Sequence, residues 1–145
     1  REEAKSLREL LSYSKQKEQD PLMEYLLSLR ARMERAKGLL TSTEKTSFFF
    51  ITLPEALPIA VIKRFIQWFH DFGIPVGGVI VNLVIDKKGV DEGTPSFVRN
   101  RIAMQDLHME DIRRSFPDVR AVVPLFDQEV RGLPMLKRTA EYLFA

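Results

Sequence analysis

Two stretches decide the fold: Phe48-Phe-Phe-Ile-Thr-Leu53 and Val76-Gly-Gly-Val-Ile-Val-Asn-Leu-Val-Ile85. Both are nearly continuous apolar runs, which are typical of strands buried on both faces of a parallel sheet. Between them, apolar residues return at helical spacing from Glu55 to Phe72, and Gly73-Ile74-Pro75 ends that helix. This order predicts a βαβ unit with a right-handed crossover. The residues expected on the inward face of the helix are Leu57, Val61, Phe65, Trp68 and Phe72.

The remainder of the chain continues the same alternation. Residues 86–94 are polar and glycine-punctuated, which predicts a loop. A helix is predicted over 96–115, a short third strand over 120–124 and a final helix over 129–144. The sequence therefore predicts an α/β protein with three parallel strands and covering helices, arranged βαβαβα over residues 46–145. In the final helix, the residues expected to point inward are Leu133, Leu136, Ala140 and Leu143.

The first forty-five residues predict a helical hairpin in front of this unit. A short leucine stripe comes first, and Asp20-Pro21 then provides an N-cap with proline at the first helical position. The second helix has one apolar face with spacings of three and four residues. We therefore divide the chain into a hairpin, 1–45, and the α/β part, 46–145. The stripe of the first helix is Leu7, Leu10 and Leu11, and the face of the second is Leu22, Leu26, Leu29, Met33, Ala36 and Leu40.

Composition and charge exclude several classes of function. The 145 residues carry 22 Lys and Arg against 20 Asp and Glu, a formal charge of only +2. Binding to a phosphate backbone needs clustered cations, so a nucleic-acid partner is disfavoured. The chain has no cysteine, which excludes disulfides and thiolate metal sites and suits a cytoplasmic protein. No apolar run approaches the length of a membrane span, so no transmembrane segment is predicted.

The carboxyl ends of the three strands are the predicted ligand site, because open parallel sheets bind ligands in the crevice beyond those ends. The three places are Leu53-Pro54-Glu55, Asn82 with the residues after it, and Pro124-Leu125-Phe126. Asn82 is the only strongly polar residue in its strand. Two interpretations stay open: its amide bonds to neighbouring backbone at the strand end, or it pairs with the N6 donor and N7 acceptor of adenine. Spacing alone favours the backbone interpretation.

The sequence shows no catalytic apparatus of its own. It contains no G-x-x-x-x-G-K-[ST] phosphate loop, and Gly77-Gly78 opens a strand instead of joining a strand to a helix. His70 and His108 lie on different predicted helices without acidic or histidine partners at ligand spacing. No metal site is therefore predicted, and we interpret both histidines as surface or packing residues.

Three segments in this order resemble the C-terminal part of the arsenical pump-driving ATPase (ArsA) family, which includes the ATPase that targets tail-anchored membrane proteins. They are Thr52-Leu-Pro-Glu55 with Arg64 downstream, Gly73-Ile-Pro-Val-Gly-Gly-Val-Ile-Val-Asn82, and Pro124-Leu-Phe-Asp-Gln-Glu-Val-Arg-Gly-Leu133. Met104-Gln105, in the predicted helix between the second and third segments, is a fourth match to the family. The resemblance runs from about residue 46 to the end.

The resemblance implies a partial P-loop NTPase fold and a role on the adenine side of a nucleotide pocket. It assigns adenine recognition to Asn82 and packing on the adenine to Pro124, Leu125 and Phe126. ATP and Mg would bind to the full-length parent, and neither is expected to bind tightly to this chain alone. The implied partners are the rest of the ATPase domain, a second copy in a homodimer, and a membrane pump or a membrane-protein client.

The departures from the family pattern are equally specific. The phosphate loop, the switch regions and the catalytic carboxylates of the family belong upstream of this stretch, so the chain alone is expected to be inactive. Pro95 and Val98 stand where the targeting members carry a Cys-x-x-Cys zinc pair, so no zinc is expected. The chain begins without methionine, which favours a piece of a longer ATPase. The alternative is a non-catalytic protein-interaction module derived from that family, which would bind a partner through residues 1–40.

Overall fold

The computed structural model describes residues 21–88, 90–91 and 93–144. These residues divide between two units with a boundary between Leu39 and Leu40, and each unit is treated separately. The predicted first helix of the hairpin, with Leu7, Leu10 and Leu11, lies outside the described residues.

Helix α1 spans Pro21–Leu40, the bounds that the Asp-Pro signal and the apolar spacing predict. Glu24 lies in its first turn and Lys37 in its last, which suits the helix dipole. Arg30 and Glu34 form an ion pair of 2.8 Å along one side. No residue of α1 is buried, so its predicted apolar face is exposed.

The second unit is built on three parallel strands, as predicted from the apolar runs. Strand β1 spans Phe48–Thr52, β2 spans Val76–Val84 and β3 spans Val119–Pro124. Their order in the sheet is β1-β2-β3, and both pairings are parallel. Each of the first two strands ends one residue earlier than the sequence pattern indicates, and the third begins one residue earlier.

Helices α2 (Ala56–Asp71) and α3 (Ser96–Ser115) pack against one face of this sheet. Phe69 of α2 lies edge-on to both Phe48 and Phe50, with ring centroids 5.0 Å apart in each pair. Burial of such apolar side chains stabilises the unit by about 25 cal/mol per Å² of apolar surface removed from water. The buried core consists of Ile59, Ile62, Val79, Val81, Met109, Ile112 and Phe116.

The predicted inward face of α2 is wrong. Ile59, Ile62, Ile66 and Phe69 form the face that packs on the sheet, while the predicted residues lie in the exposed class. The helix is apolar on two sides, so periodicity identifies two stripes and does not say which one meets the sheet. The exposed stripe consists of Leu57, Val61, Phe65, Trp68 and Phe72.

The final helix, α4, spans Gly132–Leu143, three residues shorter at its start than predicted. Arg131 is extended and Gly132 has a φ of +74°, which breaks any helix that would begin earlier. Met135 is its buried residue, and α4 packs against β3. Leu133 and Leu136 are exposed, so their predicted inward position is wrong, whereas Ala140 and Leu143 are half-buried.

Candidate functional site at the carboxyl edge of the sheet

Asn82 lies in a β-bulge where β2 runs beside β3. Val81 pairs with Val122 and Val84 pairs with Pro124, so β2 has one more residue than β3 over this interval. Leu83 has a φ of +57°, which costs about 1–2 kcal/mol for a residue with a Cβ. Bulges of this kind often re-aim a side chain beside a ligand site.

The Asn82 side chain makes the local bond that spacing alone favours. Its Oδ1 accepts a hydrogen bond of 2.9 Å from the Leu83 N–H, and the residue is half-buried. In the described part of the chain, its Nδ2 has no hydrogen-bond partner. An amide oxygen has two lone pairs, so Oδ1 keeps one acceptor position and Nδ2 keeps both donors. The local bond is therefore compatible with recognition of a base.

The three predicted strand ends lie side by side along one edge. Thr52, the last residue of β1, pairs with Val81 immediately before Asn82. On the other side, the Leu125 N–H donates to the Val84 carbonyl at 2.8 Å. The structure thus brings Leu53-Pro54, the bulge and Pro124-Leu125 to the same edge, as parallel strands require.

Gln105 of α3 holds the backbone that follows the bulge. Its Oε1 accepts from the Ile85 N–H at 2.7 Å, and its Nε2 donates to the Ile85 carbonyl at 3.1 Å. The side chain is only 5% exposed, and both polar ends are satisfied by one residue. Sequence reasoning singled out Gln105 only as part of the resemblance and missed this contact.

A cavity of about 410 Å³ opens beside this edge. Leu125 is the one predicted adenine contact that lines it, and Leu83 lies next to Asn82 in its wall. At its rim, Arg101 Nη2 lies 2.6 Å from Glu55 Oε1, so α3 is ion-paired to the start of α2. The lining residues are Leu53, Pro54, Glu55, Ala56, Leu57, Leu83, Ile85, Arg101, Met104, Gln105, His108 and Leu125.

A second, more open cavity of about 610 Å³ lies beyond Ile85 and Gln105, which line both cavities. Pro124 and Tyr142 contribute to its wall. Lys87 Nζ lies 2.6 Å from Asp106 Oδ1 there, so this lysine is already paired. Neither Asn82 nor Phe126 lines either of these two cavities.

Phe126 is held by α4. The Arg138 guanidinium lies 4.9 Å from the centre of its ring, and Tyr142 meets it edge-on at 6.0 Å. The ring is half-buried. These contacts tie Phe126, in the loop after β3, to α4.

The residues present fit one part of a bound nucleotide and not the rest. The Asn82 amide keeps an acceptor and two donors, which match the polar edge of a purine base, although it lines neither the cavity that contains Leu125 nor the one that contains Pro124. Over the described residues no cluster of three His, Asp or Glu side chains that would hold a metal ion occurs. The chain also contains no phosphate loop. The described part of this edge therefore carries hydrogen-bonding groups of the kind that a base needs, and it carries neither a phosphate loop nor a cluster of metal ligands.

Asp111, a carboxylate with a perturbed pKa, lies away from this edge. Hydrogen bonds from Lys63 and Ser115 hold the pKa of Asp111 below its usual value. The Lys63 Nζ is 3.1 Å from Asp111 Oδ1, which ties α2 to α3. This group is a structural tie and not a candidate acid or base. No helix within the described ranges is long and apolar enough to cross a membrane.

Comparison with known proteins identifies the family. The family model described as Anion-transporting ATPase matches residues 1–145. A protein of Aquifex aeolicus, named as an arsenical pump-driving ATPase, is 30% identical over 128 residues, 86% of this chain and 32% of the relative. ATPase GET3 of Chaetomium globosum is 29% identical over 123 residues, 84% of this chain and 36% of the relative.

An ATPase ASNA1 homolog of Trypanosoma cruzi is 28% identical over 123 residues, 84% of this chain and 34% of the relative. The chain spans about a third of the length of each of these three relatives. Its three parallel strands and packed helices agree with part of a P-loop NTPase fold. The chain belongs to the anion-transporting ATPase family.

Proposed function

We propose that this chain forms the adenine-binding side of the nucleotide pocket in an ArsA-like ATPase, of which it is the C-terminal portion. The observation that carries the proposal is the bulge at Asn82, beside Pro124 and Leu125 at the carboxyl edge of the sheet. Parallel sheets bind ligands at that edge, and the relatives are named as ATPases.

Recognition of adenine would use hydrogen bonds and apolar contact together. Asn82 would accept from N6 with its remaining Oδ1 lone pair and donate to N7 from Nδ2. Pro124, Leu125 and Phe126 would cover the base. The chain's own residues would therefore bind and orient the base.

Hydrolysis would depend on residues that this chain does not contain. Phosphoryl transfer relies on a phosphate-binding lysine, a magnesium ion and positioned carboxylates. We expect ATP and Mg to bind in the protein encoded by the complete gene and neither to bind tightly to residues 1–145 alone. That protein would work as a cytoplasmic homodimer that drives export of arsenite or antimonite, or the targeting of membrane proteins, with a membrane pump or a protein client as its partner.

The Asn82→Ala variant of the protein encoded by the complete gene tests the base assignment. Alanine removes the acceptor for N6, the group that distinguishes adenine from guanine, together with the donor to N7, so selectivity for ATP over GTP should fall by about fivefold or more. Equilibrium binding of both nucleotides measures the ratio. Asn100→Ala, the same change at an exposed position on α3, is the control. Unchanged selectivity in Asn82→Ala contradicts the adenine assignment.

A second candidate is a non-catalytic protein-interaction module. The observation that favours it is the apolar exposure along α2, where Leu57, Val61 and Trp68 on one stripe are all exposed. Contiguous apolar surface often marks a site for a protein partner. Nucleotide binding distinguishes the two candidate functions. If the protein encoded by the complete gene binds no ATP and has no phosphate loop, the interaction module is favoured.

A further inference from the structure

Leu83 is held in a backbone conformation that its residue type disfavours. Its φ of +57° lies in the left-handed region, where a Cβ crowds the backbone. A non-glycine residue stays there only when its surroundings over-determine it, and such positions cluster at ligand-binding sites. The question is therefore which contacts hold Leu83 and what they position.

Three sets of hydrogen bonds surround this residue. On its N-terminal side, Asn82 Oδ1 accepts from the Leu83 N–H at 2.9 Å. On its C-terminal side, Val84 accepts from the Leu125 N–H at 2.8 Å. Beyond that, Gln105 binds both backbone groups of Ile85 at 2.7 and 3.1 Å. The bulge is thus fixed to β3 on one flank and to α3 on the other.

Gln105 is the unusual member of this set. An amide side chain that is 5% exposed is costly unless both of its ends are paired. Both ends are paired here with the same residue, as a neighbouring strand would pair it. Packing alone would be served by an apolar side chain at this position. The amide is explained by the backbone segment that it holds.

We propose that Gln105 is a positioning residue for base selectivity, acting through the Leu83 bulge on the orientation of the Asn82 amide. The inference rests on the proposed adenine role of Asn82. Because the Leu83 N–H must face an oxygen, the bulge fixes which end of the amide is the acceptor. Adenine presents one donor and one acceptor on this edge, whereas guanine presents two acceptors. A fixed amide distinguishes them, and an amide free to flip does so less well.

The test uses the protein encoded by the complete gene and measures dissociation constants for ATP and GTP. Gln105→Leu keeps the bulk of the side chain and removes both bonds to Ile85. We expect its ATP-over-GTP ratio to fall by about threefold or more. Leu107→Ala, at a 66% exposed position on the same helix, is the control and should keep the ratio of the unmodified protein.

The double variant Asn82→Ala with Gln105→Leu separates positioning from a general structural role. If Gln105 acts through the Asn82 amide, the second change adds no further loss of selectivity to Asn82→Ala. Losses that multiply would overturn the inference. So would an unchanged ratio in Gln105→Leu alone, and in that case a lowered ratio in Asn82→Ala still supports the proposed function. An unchanged ratio in Asn82→Ala overturns both.

A second variant, at a 45% exposed position outside the core, keeps the inference testable if Gln105→Leu does not fold. Leu83→Gly keeps the N–H that donates to Asn82 Oδ1 but removes the Cβ. Because glycine adopts other backbone conformations as readily, this N–H no longer holds the amide in one orientation. We expect a lowered ATP-over-GTP ratio without a loss of stability, and an unchanged ratio would overturn the inference.

Discussion

The two faces of the sheet differ sharply in what covers them. On one face, Val79 and Val81 of β2 are buried beneath α2 and α3. On the opposite face, Phe49 and Ile51 of β1 are exposed, although they are as apolar as the residues of the buried face. The amino-acid composition of the two faces is similar, and their environments are not.

This difference shows that the apolar runs contain side chains that the described residues do not bury. A parallel sheet is ordinarily covered on both faces. The chain also spans only about a third of the length of its relatives. We therefore expect another part of the polypeptide, or another copy of it, to cover Phe49 and Ile51 in the functional protein.

The largest expected effect is on the free energy of unfolding, when isoleucines on two different elements are replaced by alanine. Ile112 of α3 is 0% exposed, so Ile112→Ala should lower the free energy of unfolding by about 2–5 kcal/mol. Ile51 of β1 is 62% exposed, so Ile51→Ala should change it by about 0.5 kcal/mol or less. Urea unfolding of residues 1–145 measures both.

The same two substitutions can be compared in the protein encoded by the complete gene. If the second face is covered there, the cost of Ile51→Ala should rise to about 2 kcal/mol or more, since a packed isoleucine then loses its contacts. The cost of Ile112→Ala should change little. Equal, small costs for Ile51→Ala in both proteins would show that the second face stays open.

A smaller effect concerns the tie between the two helices on the covered face. The pKa of Asp111 is lowered by hydrogen bonds from Lys63 and Ser115, so the folded state favours its charged form. The resulting stabilisation is present above the unfolded value of about 3.9 and is lost as the pH falls through the lower folded value. Asp111→Asn should flatten the pH dependence of stability in that acidic range.

Thermal unfolding across pH 2–6, roughly the window that spans both protonation states, measures this effect. Glu110→Gln, the neighbouring exposed carboxylate on α3, is the control. A pH dependence that is the same in Asp111→Asn and in the unmodified chain would show that this ion pair contributes nothing measurable. Both side chains are partly exposed, so solvent screens the pair and the effect is small.

The sequence predicts the elements of this fold well because their signals are local. Helix α3 has the predicted bounds, Ser96–Ser115, and each apolar run becomes a parallel strand. The facing of α2 is wrong because Leu57 and Ile59 are both apolar and only the distant sheet decides between them. When a helix has two apolar stripes, its own sequence does not indicate which stripe packs on the sheet.

In the site, too, local contacts can be predicted from the sequence and distant contacts cannot. The bond between Asn82 and Leu83 joins adjacent residues, and it was one of two interpretations open from the sequence. The Gln105 contact joins residues twenty apart, on a helix and a strand end, so no spacing rule predicts it. The φ of Leu83 has no sequence signal either, because leucine seldom adopts a left-handed conformation.

Photolabelling of the protein encoded by the complete gene with 8-azido-ATP tests the central claim most directly. The azide sits beside N7, so a base held by Asn82 places it close to the bulge and to the loop after β3. The account predicts ATP-protectable label in the peptides that contain residues 82–86 or 124–126. ATP-protectable label confined to other peptides would contradict it.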